Sequence, residues 1–599
     1  MRKIKLLFSL ALTLTMLHGN LLVAQVDPSV SIIDIAAGAG NEGLLEATIN
    51  GDVDGDGKRL NPNRIYRLEA GGIYIQNSAI NFNDSTATLN IIGAEEDGKN
   101  MPMVLMQPIE GQGTFTNNVN GNLNLENVYW PAMNLDGDGG VLFQMAGTGL
   151  RLELDNFVTE NARSDVFALR GINGNANVYI KNSYFRDMSQ LSNSWNYVVF
   201  ARGDNGEPFD TLWVENTTVS NAGMPFFGKL NPTNFFYFNH NTIVNSTKYP
   251  IWMERFAEAY VTNNLFINAN YEGECQSTWE TQIGEDFIPT ALVRFDTVES
   301  GFWTSSPDDA PAQENVKILA SNNLSFFSPF LDKYYNGDWN DEGDFPISNR
   351  PWGPGVDEAD LPIPVSHVRP GILEDREMAL VAEWDGIKED NNMDNVDPMM
   401  VTKGIADQAA GDEFAKFART NYGVAELGEE FDRQQIWFGD GNAATIPGAE
   451  SEEGGGFEDV TGLPEDFSYT SDIRSKIDGM PLGALHWWPS MMDSWDSEAG
   501  LADVMQYYVD TVSVSVLKVE DVSRISVYPN PVHELLNISS EDKLANAIIY
   551  DITGKMRSEI QLYGVFTKSI DVSSLEKGFY IMEIHTISGQ KYAHRLLKK

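Results

Sequence analysis

Between about residues 85 and 330 one short pattern keeps returning: alternating apolar residues, an asparagine, then apolar residues again. It reads NLNLENVYW, LRLELDNFVTEN, NVYIKNSYFRD, TLWVENTTVSN, FFYFNHNTIVN, AYVTNNLFIN and VKILASNNLSF. The recurring residues are Asn127, Asn156, Asn182, Asn216, Asn241, Asn263 and Asn322, spaced by 29, 26, 34, 25, 22 and 59. Strand-like alternation at such a period, without helical spacing, predicts a solenoid of parallel strands with one rung per repeat. Rungs stack about 4.8 Å apart, so the asparagines are expected to line up at one corner and to hydrogen-bond along the stack through their amides. The gap of 59 fits two turns, or one turn with an insertion. LNIIGAEEDG, residues 89–98, reads as an earlier rung.

Four successive repeats carry a second regularity. DVFALRG, YVVFARG, PFFGKL and PIWMER, aligned on their apolar residues, place Arg170, Arg202, Lys229 and Arg255 at one position. Like charges about 5 Å apart repel by about 3 kcal/mol at an effective dielectric of 20, so a column of cations needs anions between its members. Those anions are either protein carboxylates, for which Asp165, Asp204, Asp210, Glu254 and Glu258 stand nearby, or the uronate and sulfate groups of a polysaccharide. The sequence leaves both open. Trp195, Tyr197, Tyr249 and Trp252 lie close to the column; each either stacks on a sugar ring or fills the core. His240, between Asn239 and Asn241, reads as a corner residue rather than a catalyst.

The two ends differ in kind. Arg2, Lys3 and Lys5 precede an apolar run from Leu6 to about Leu17 and a small-residue segment at Val23-Ala24-Gln25. This is the order of a secretory signal peptide, expected to occupy residues 1–25. The apolar run falls short of the roughly 20 residues that span a bilayer, so no transmembrane anchor is expected in the mature chain. The chain has 599 residues, a formal net charge of −45 and one cysteine, Cys275. Such acidity argues against nucleic acid and anionic membranes as partners, and one cysteine forms no intrachain disulfide. The acidity concentrates in residues 341–500, with 35 Asp+Glu against 10 Lys+Arg. Here the Pro-rich loop Arg350-Pro351-Trp352-Gly353-Pro354, helix-like runs near 372–385 and 405–432, and the flexible Gly454-Gly455-Gly456 predict a partly helical cap over residues 336–500. Residues 501–522 read as a linker. From 523 to 599, short alternating strands are separated by Asn-Pro, Thr-Gly, Lys-Gly and Ser-Gly turns, which predict a small antiparallel β-sandwich.

On these residues two resemblances rest. The stretch from about 45 to 335 resembles the right-handed parallel β-helix of the pectate-lyase-like superfamily, placed here at residues 26–335. SKIDGMPLGALHWW, residues 475–488, is similar to the segment that closes many such chains in Bacteroidetes. The C-terminal unit resembles the type A sorting domain of the type IX secretion system, through Tyr528-Pro529-Asn530-Pro531, Asp551-Ile552-Thr553-Gly554-Lys555, Leu575-Glu576-Lys577-Gly578-Phe579-Tyr580 and the basic end Lys598-Lys599. That resemblance implies recognition by the type IX machinery at the outer membrane, then removal of the domain with release or surface attachment of the rest. The whole is expected to be an all-β chain, secreted or displayed on the cell surface.

The β-helix resemblance implies a polysaccharide partner and, in its lyase members, β-elimination. A cation neutralises the uronate carboxylate and a base removes the acidified ring proton. Arg202 and Lys229 are the candidates for catalysis, and Arg170, Arg202, Lys229, Arg255 and Trp252 for substrate binding. The calcium-site pattern of pectate lyases and their Arg-x-Pro-x-x-Arg segment are not found. Of the polygalacturonase motifs only an Asp-Asp pair, Asp308-Asp309, occurs. A non-catalytic glycan-binding or adhesin module is the alternative. Finally, Asp52, Asp54 and Asp56 before Gly57 match the start of a calcium loop, although Asn63 stands where such a loop ends in glutamate. Structural Ca2+ and a polar turn capping the first coil are both compatible with that segment.

Overall fold

The computed structural model describes residues 31–96, 99–109, 114–134, 140–160, 162, 165–172, 175–186, 188, 197–202, 209–228, 232–246, 249–253, 255–270, 291–295, 313–328, 369–401, 466–513, 525–551, 555–587 and 591–599. The signal-peptide segment, Cys275, Lys229, Trp195, Asp308-Asp309, the run 405–432 and the triple glycine lie outside them. The described residues are mostly β, with few helices, and form two units, residues 1–505 and 506–599.

In the first unit an 18-stranded sheet and a 7-stranded sheet are parallel throughout. The reason is visible in one column. Leu89, Leu123, Leu152, Val178, Leu212, Phe236, Ala259, Ile318 and Ile387 are successive register partners. All are buried. Each repeat thus lays its apolar residues on those of the preceding one, and alternation sends the intervening residues to the other face. Ring stacks add to the area term: Phe143 lies on Phe167 at 5.7 Å and Phe236 on Phe256 at 4.9 Å, each pair worth about 0.5–1.5 kcal/mol beyond burial. The step from Ala259 to Ile318 takes 59 residues yet keeps the register, so that interval is one turn with an insertion.

Corners fix this phase. Asn127, Asn156, Asn182, Asn216, Asn263 and Asn322 all have φ between 49° and 60°, the left-handed conformation asparagine tolerates best among non-glycine residues. At the fifth corner the sequence alignment is one residue out. His240, with φ 51°, turns the chain there, and Asn241 begins a second, interior ladder with Asn264, Asn323 and Asn392. In that ladder each amide accepts from the backbone N–H of the preceding ladder residue and donates to a carbonyl of an earlier strand. Asn264 accepts from Asn241 N at 2.9 Å and donates to Phe238 O at 2.9 Å. Gly93 serves an earlier corner because a Cβ there would stand 1.9 Å from the Asn127 carbonyl.

The acidic region does more than cover. Its helix Asp375–Glu383 is closed by a Glu374/Glu377 capping box, and Ile387–Asp390 adds a further parallel strand beside Lys317–Ser321. Ser475–Trp488 then runs back along the corners as a strap. Lys476 N donates to Asn322 Oδ1, Gly483 N to Asn263 O, Ala484 N to Thr242 Oγ1 and His486 N to Asn216 Oδ1. Residues expected to form a linker from 501 are helical as far as 513, within Ser497–Ser513; Val504 and Tyr508, four apart, are buried.

In the second unit five antiparallel strands form one hydrogen-bonded sheet. Leu535–Asp551 bends at register shifts between Ser539 and Asn546. Its first half pairs with Ile525–Tyr528, its second with Gly578–Thr586, and both with Met556–Asp571. Leu536 and Ile538 from one half and Ala547 and Ile549 from the other share a single core. The motif residues act as staples: the Asn530 side chain donates to Arg595 O and accepts from Leu597 N, and Tyr580 OH donates to Glu576 O.

Candidate functional site

The 7-stranded sheet carries the basic positions. Phe167–Ile172 lies beside Val199–Arg202 with Ala168 opposite Phe200 and Arg170 opposite Arg202. The ladder continues from Phe200 to Phe227 and from Phe227 to Trp252. Arg170 and Arg202 each stand two residues beyond these partners, whereas Arg255 stands three beyond Trp252. The aligned column slips by one at Arg255 because the chain has already left this sheet: the Arg255 carbonyl accepts from Thr233 N at the start of the next strand. Arg255 is buried, as are Trp252 and Tyr249. The Trp252 and Tyr249 rings meet edge to face at 5.3 Å, and the Arg294 guanidinium lies 4.5 Å from the Tyr249 ring centre and 5.9 Å from that of Trp252. Trp252 therefore packs inside the protein. Among the carboxylates considered as interleaving anions, Glu258 pairs with Lys317 at 3.2 Å and Asp165 is buried.

The three loop aspartates are not gathered. Asp52 is fully buried and binds Arg64 Nε at 2.7 Å and the Tyr66 hydroxyl at 2.7 Å. Asp54 Oδ1 accepts from the backbone amides of Asp56 and Lys58, closing a tight turn. No group of three His, Cys, Asp or Glu side chains able to hold a metal ion occurs among the described residues. A loop whose first carboxylate is committed to a guanidinium does not fit a calcium ion.

The opposite sheet bears a feature that sequence reading passed over. Glu153, Tyr179, Trp213, Tyr237 and Tyr260 are successive register partners. Tyr179 and Trp213 are half-buried, and so is Phe235, which lies opposite Thr211 two residues before Trp213. Ring centres are 6.4 Å apart for Tyr179–Trp213 and for Trp213–Phe235. Arg151 lies 4.2 Å over the Tyr179 ring and Lys181 Nζ 4.8 Å over Trp213. The signal was present: each ring of the column stands three residues before a corner residue, at Asn182, Asn216, His240 and Asn263.

Beside this column the strap closes over Glu215 and His240. Burial pushes the Glu215 carboxyl up, against hydrogen bonds from Ser497 and Trp213. His240 Nε2 faces Asp478 Oδ2 at 2.9 Å and Nδ1 faces Gly483 O at 3.2 Å. Burial would raise Asp478, but its hydrogen bond with His240 holds it below the usual carboxylate range. Glu215 is thus tied to Ser497, at the start of the helix that follows the strap, and His240 to the strap itself.

Residues 526–599 match the family described as the secretion system C-terminal sorting domain. The chain is therefore exported through the type IX system to the cell surface or the extracellular space. Among the described residues no helix is long and apolar enough to cross a membrane. The chain is also 34% identical over 80 residues to Beta-agarase D of Zobellia galactanivorans, a match covering 13% of this chain and 16% of that relative's length.

Proposed function

We propose that the first unit is a right-handed parallel β-helix that binds an extracellular polysaccharide, with anionic groups of the glycan lying along Arg170 and Arg202 and extending to Lys229. One observation carries this reading: Arg170 and Arg202 are register partners on adjacent parallel strands, so two basic positions repeat at the rung spacing of about 4.8 Å, to which a polymer with regularly placed charges is complementary. The sense of the winding follows from the right-handed rule for parallel crossovers. Type IX export puts the chain where such glycans are met, and the local likeness to a protein named as an agarase supports a carbohydrate-related role.

β-Elimination is the chemistry this pair serves if the site is catalytic. Arg170 and Arg202 neutralise a uronate carboxylate, which acidifies the adjacent C5 proton; Lys229 removes that proton as the C4–O4 glycosidic bond breaks, leaving a C4=C5 double bond on one sugar and a hydroxyl, protonated from solvent, on the other. The test uses the mature protein with alginate, pectate and ulvan, measuring retardation in glycan-containing native gels and the ultraviolet absorbance of unsaturated product. Arg170→Ala and Arg202→Ala are each expected to weaken retardation about tenfold, or 1.4 kcal/mol. Retained affinity in both variants rejects the basic pair as the site. Binding without product makes the protein a non-catalytic surface module.

A further inference from the structure

We propose a second glycan site, on the opposite sheet, in which the rings of Tyr179, Trp213 and Phe235 form a platform for an uncharged pyranose polysaccharide. It goes beyond the reading above and stands on different residues.

The rings come from three consecutive turns: Tyr179 and Trp213 are register partners, and Phe235 stands two residues before Tyr237, the next partner of Trp213. They are apolar, partly open to solvent, and 6.4 Å apart centre to centre. Successive rings, inclined by 35° and 38° to one another, offer apolar contacts that a polymer of pyranose rings, each with a C–H face, meets in turn. A protein partner has no reason to repeat at that interval. The column does not continue open: Tyr237 and Tyr260 are buried, and Tyr260 OH donates to Glu258 at 2.7 Å.

Charge decides the class of glycan. Arg151 is paired with Glu153 and lies over the Tyr179 ring. Lys181 sits in register between Asp155 and Glu215, with its ammonium over Trp213. Each of these cations, lying over a ring, already has a carboxylate for a neighbour, so a polyanion would have to displace Glu153 or Asp155 and then leave it unpaired in a chain of net charge −45, and the sugar meets what the cations leave uncovered. Hydroxyls make no such demand. They exchange hydrogen bonds with these side chains at the platform's edges while the rings cover the sugar faces.

The experiment is native affinity electrophoresis of the mature protein in gels holding hydroxyethyl cellulose, xyloglucan or galactomannan, with alginate and pectate gels alongside. At least one neutral polymer is expected to retard the protein, equally at low and high salt. Trp213→Ala and Tyr179→Ala should each weaken that retardation tenfold or more, and Trp213→Phe should preserve most of it. Circular dichroism checks folding; Tyr179, half-exposed, keeps the test intact should Trp213→Ala fail to fold. Retardation by polyanions alone, by no neutral polymer, or undiminished in the folded ring variants overturns the proposal. A protein bound by neutral polymers but not by alginate, pectate or ulvan would sustain this site while rejecting the basic one.

Discussion

Replacing Asn264 by alanine tests whether the interior amide ladder holds the turns together. Four hydrogen bonds are lost. The Asn264 amide donates to Phe238 O and Asn323 Oδ1, both at 2.9 Å, and its oxygen accepts from Asn241 N at 2.9 Å and Asn241 Nδ2 at 3.2 Å. Asn264 is fully buried, so water cannot replace it. Two backbone groups, the Asn241 N–H and the Phe238 carbonyl, lose these partners, at about 1–3 kcal/mol each. The expected loss is about 4 kcal/mol. Asn118 is the control: its amide also bridges two turns, to Asn81 Oδ1 at 3.2 Å, but in contact with solvent, so Asn118→Ala should cost under about 1 kcal/mol. Urea unfolding followed by tryptophan fluorescence reads both. Equal losses in the two variants, or a change under about 1 kcal/mol for Asn264→Ala, would refute the ladder's structural role.

Three other expectations concern the strap and the loop. Burial lowers His486 to about 4 from an ordinary value of 6.5, so it folds neutral, and the unfolded chain takes up a proton first as pH falls. Stability should therefore decline between pH 6.5 and 4, by up to about 3 kcal/mol, and a His486→Gln variant should show a flatter profile of urea midpoint against pH. Gly483 has φ 87° and a Cβ there would meet Thr242 Oγ1 at 2.6 Å; Gly483→Ala should cost at least about 2 kcal/mol and quicken proteolysis of the strap, and a wild-type cleavage rate would contradict the contact. Arg64→Ala leaves Asp52 buried without its cation and should cost about 3–5 kcal/mol, whereas EDTA should leave the wild-type midpoint unmoved; a midpoint lowered by EDTA would reinstate a metal in the loop.

The parallel stack was legible because its corners need one residue type. Asparagine recurs where φ must be positive, and apolar alternation around it marks the strand phase of Leu123, Leu152 and Val178. The slip at Asn241 has the same origin. Histidine also tolerates that conformation, so His240 took the corner, and an adjacent asparagine with an interior role looked like the corner residue. The basic alignment held its spacing from Arg170 to Arg202, where both stand inside strands, and moved by one at Arg255, where the turn into the next sheet is shorter. The loop pattern did not show that Asp52 has a cation twelve residues on, at Arg64, because such a pattern counts carboxylates and not their partners. The rings were overlooked for a different reason: each aromatic alone is ordinary core material, and only counting back three residues from the corner shows that they share a face.

That shared face is a consequence of the corner itself. A residue locked in the left-handed region sets the phase of the strand before it, so positions one and three residues back share one face of the sheet on every turn. Glu153, Tyr179 and Trp213 occupy the outer of these positions, and Asp155, Lys181 and Glu215 the inner one. Chain length between corners does not disturb this: Tyr260 remains opposite Leu319 across 59 residues. Insertions are absorbed in the connections while the faces stay in register. A change of ligand on such a frame requires only substitutions at fixed offsets from the corners, whereas loss of a corner displaces every outward side chain of its turn at once. Asn182→Ala should on this argument impair the Tyr179 platform, read as weakened retardation in the neutral-polymer gels, because the strand ending at Lys181 loses the residue that holds its phase; undiminished retardation would refute it.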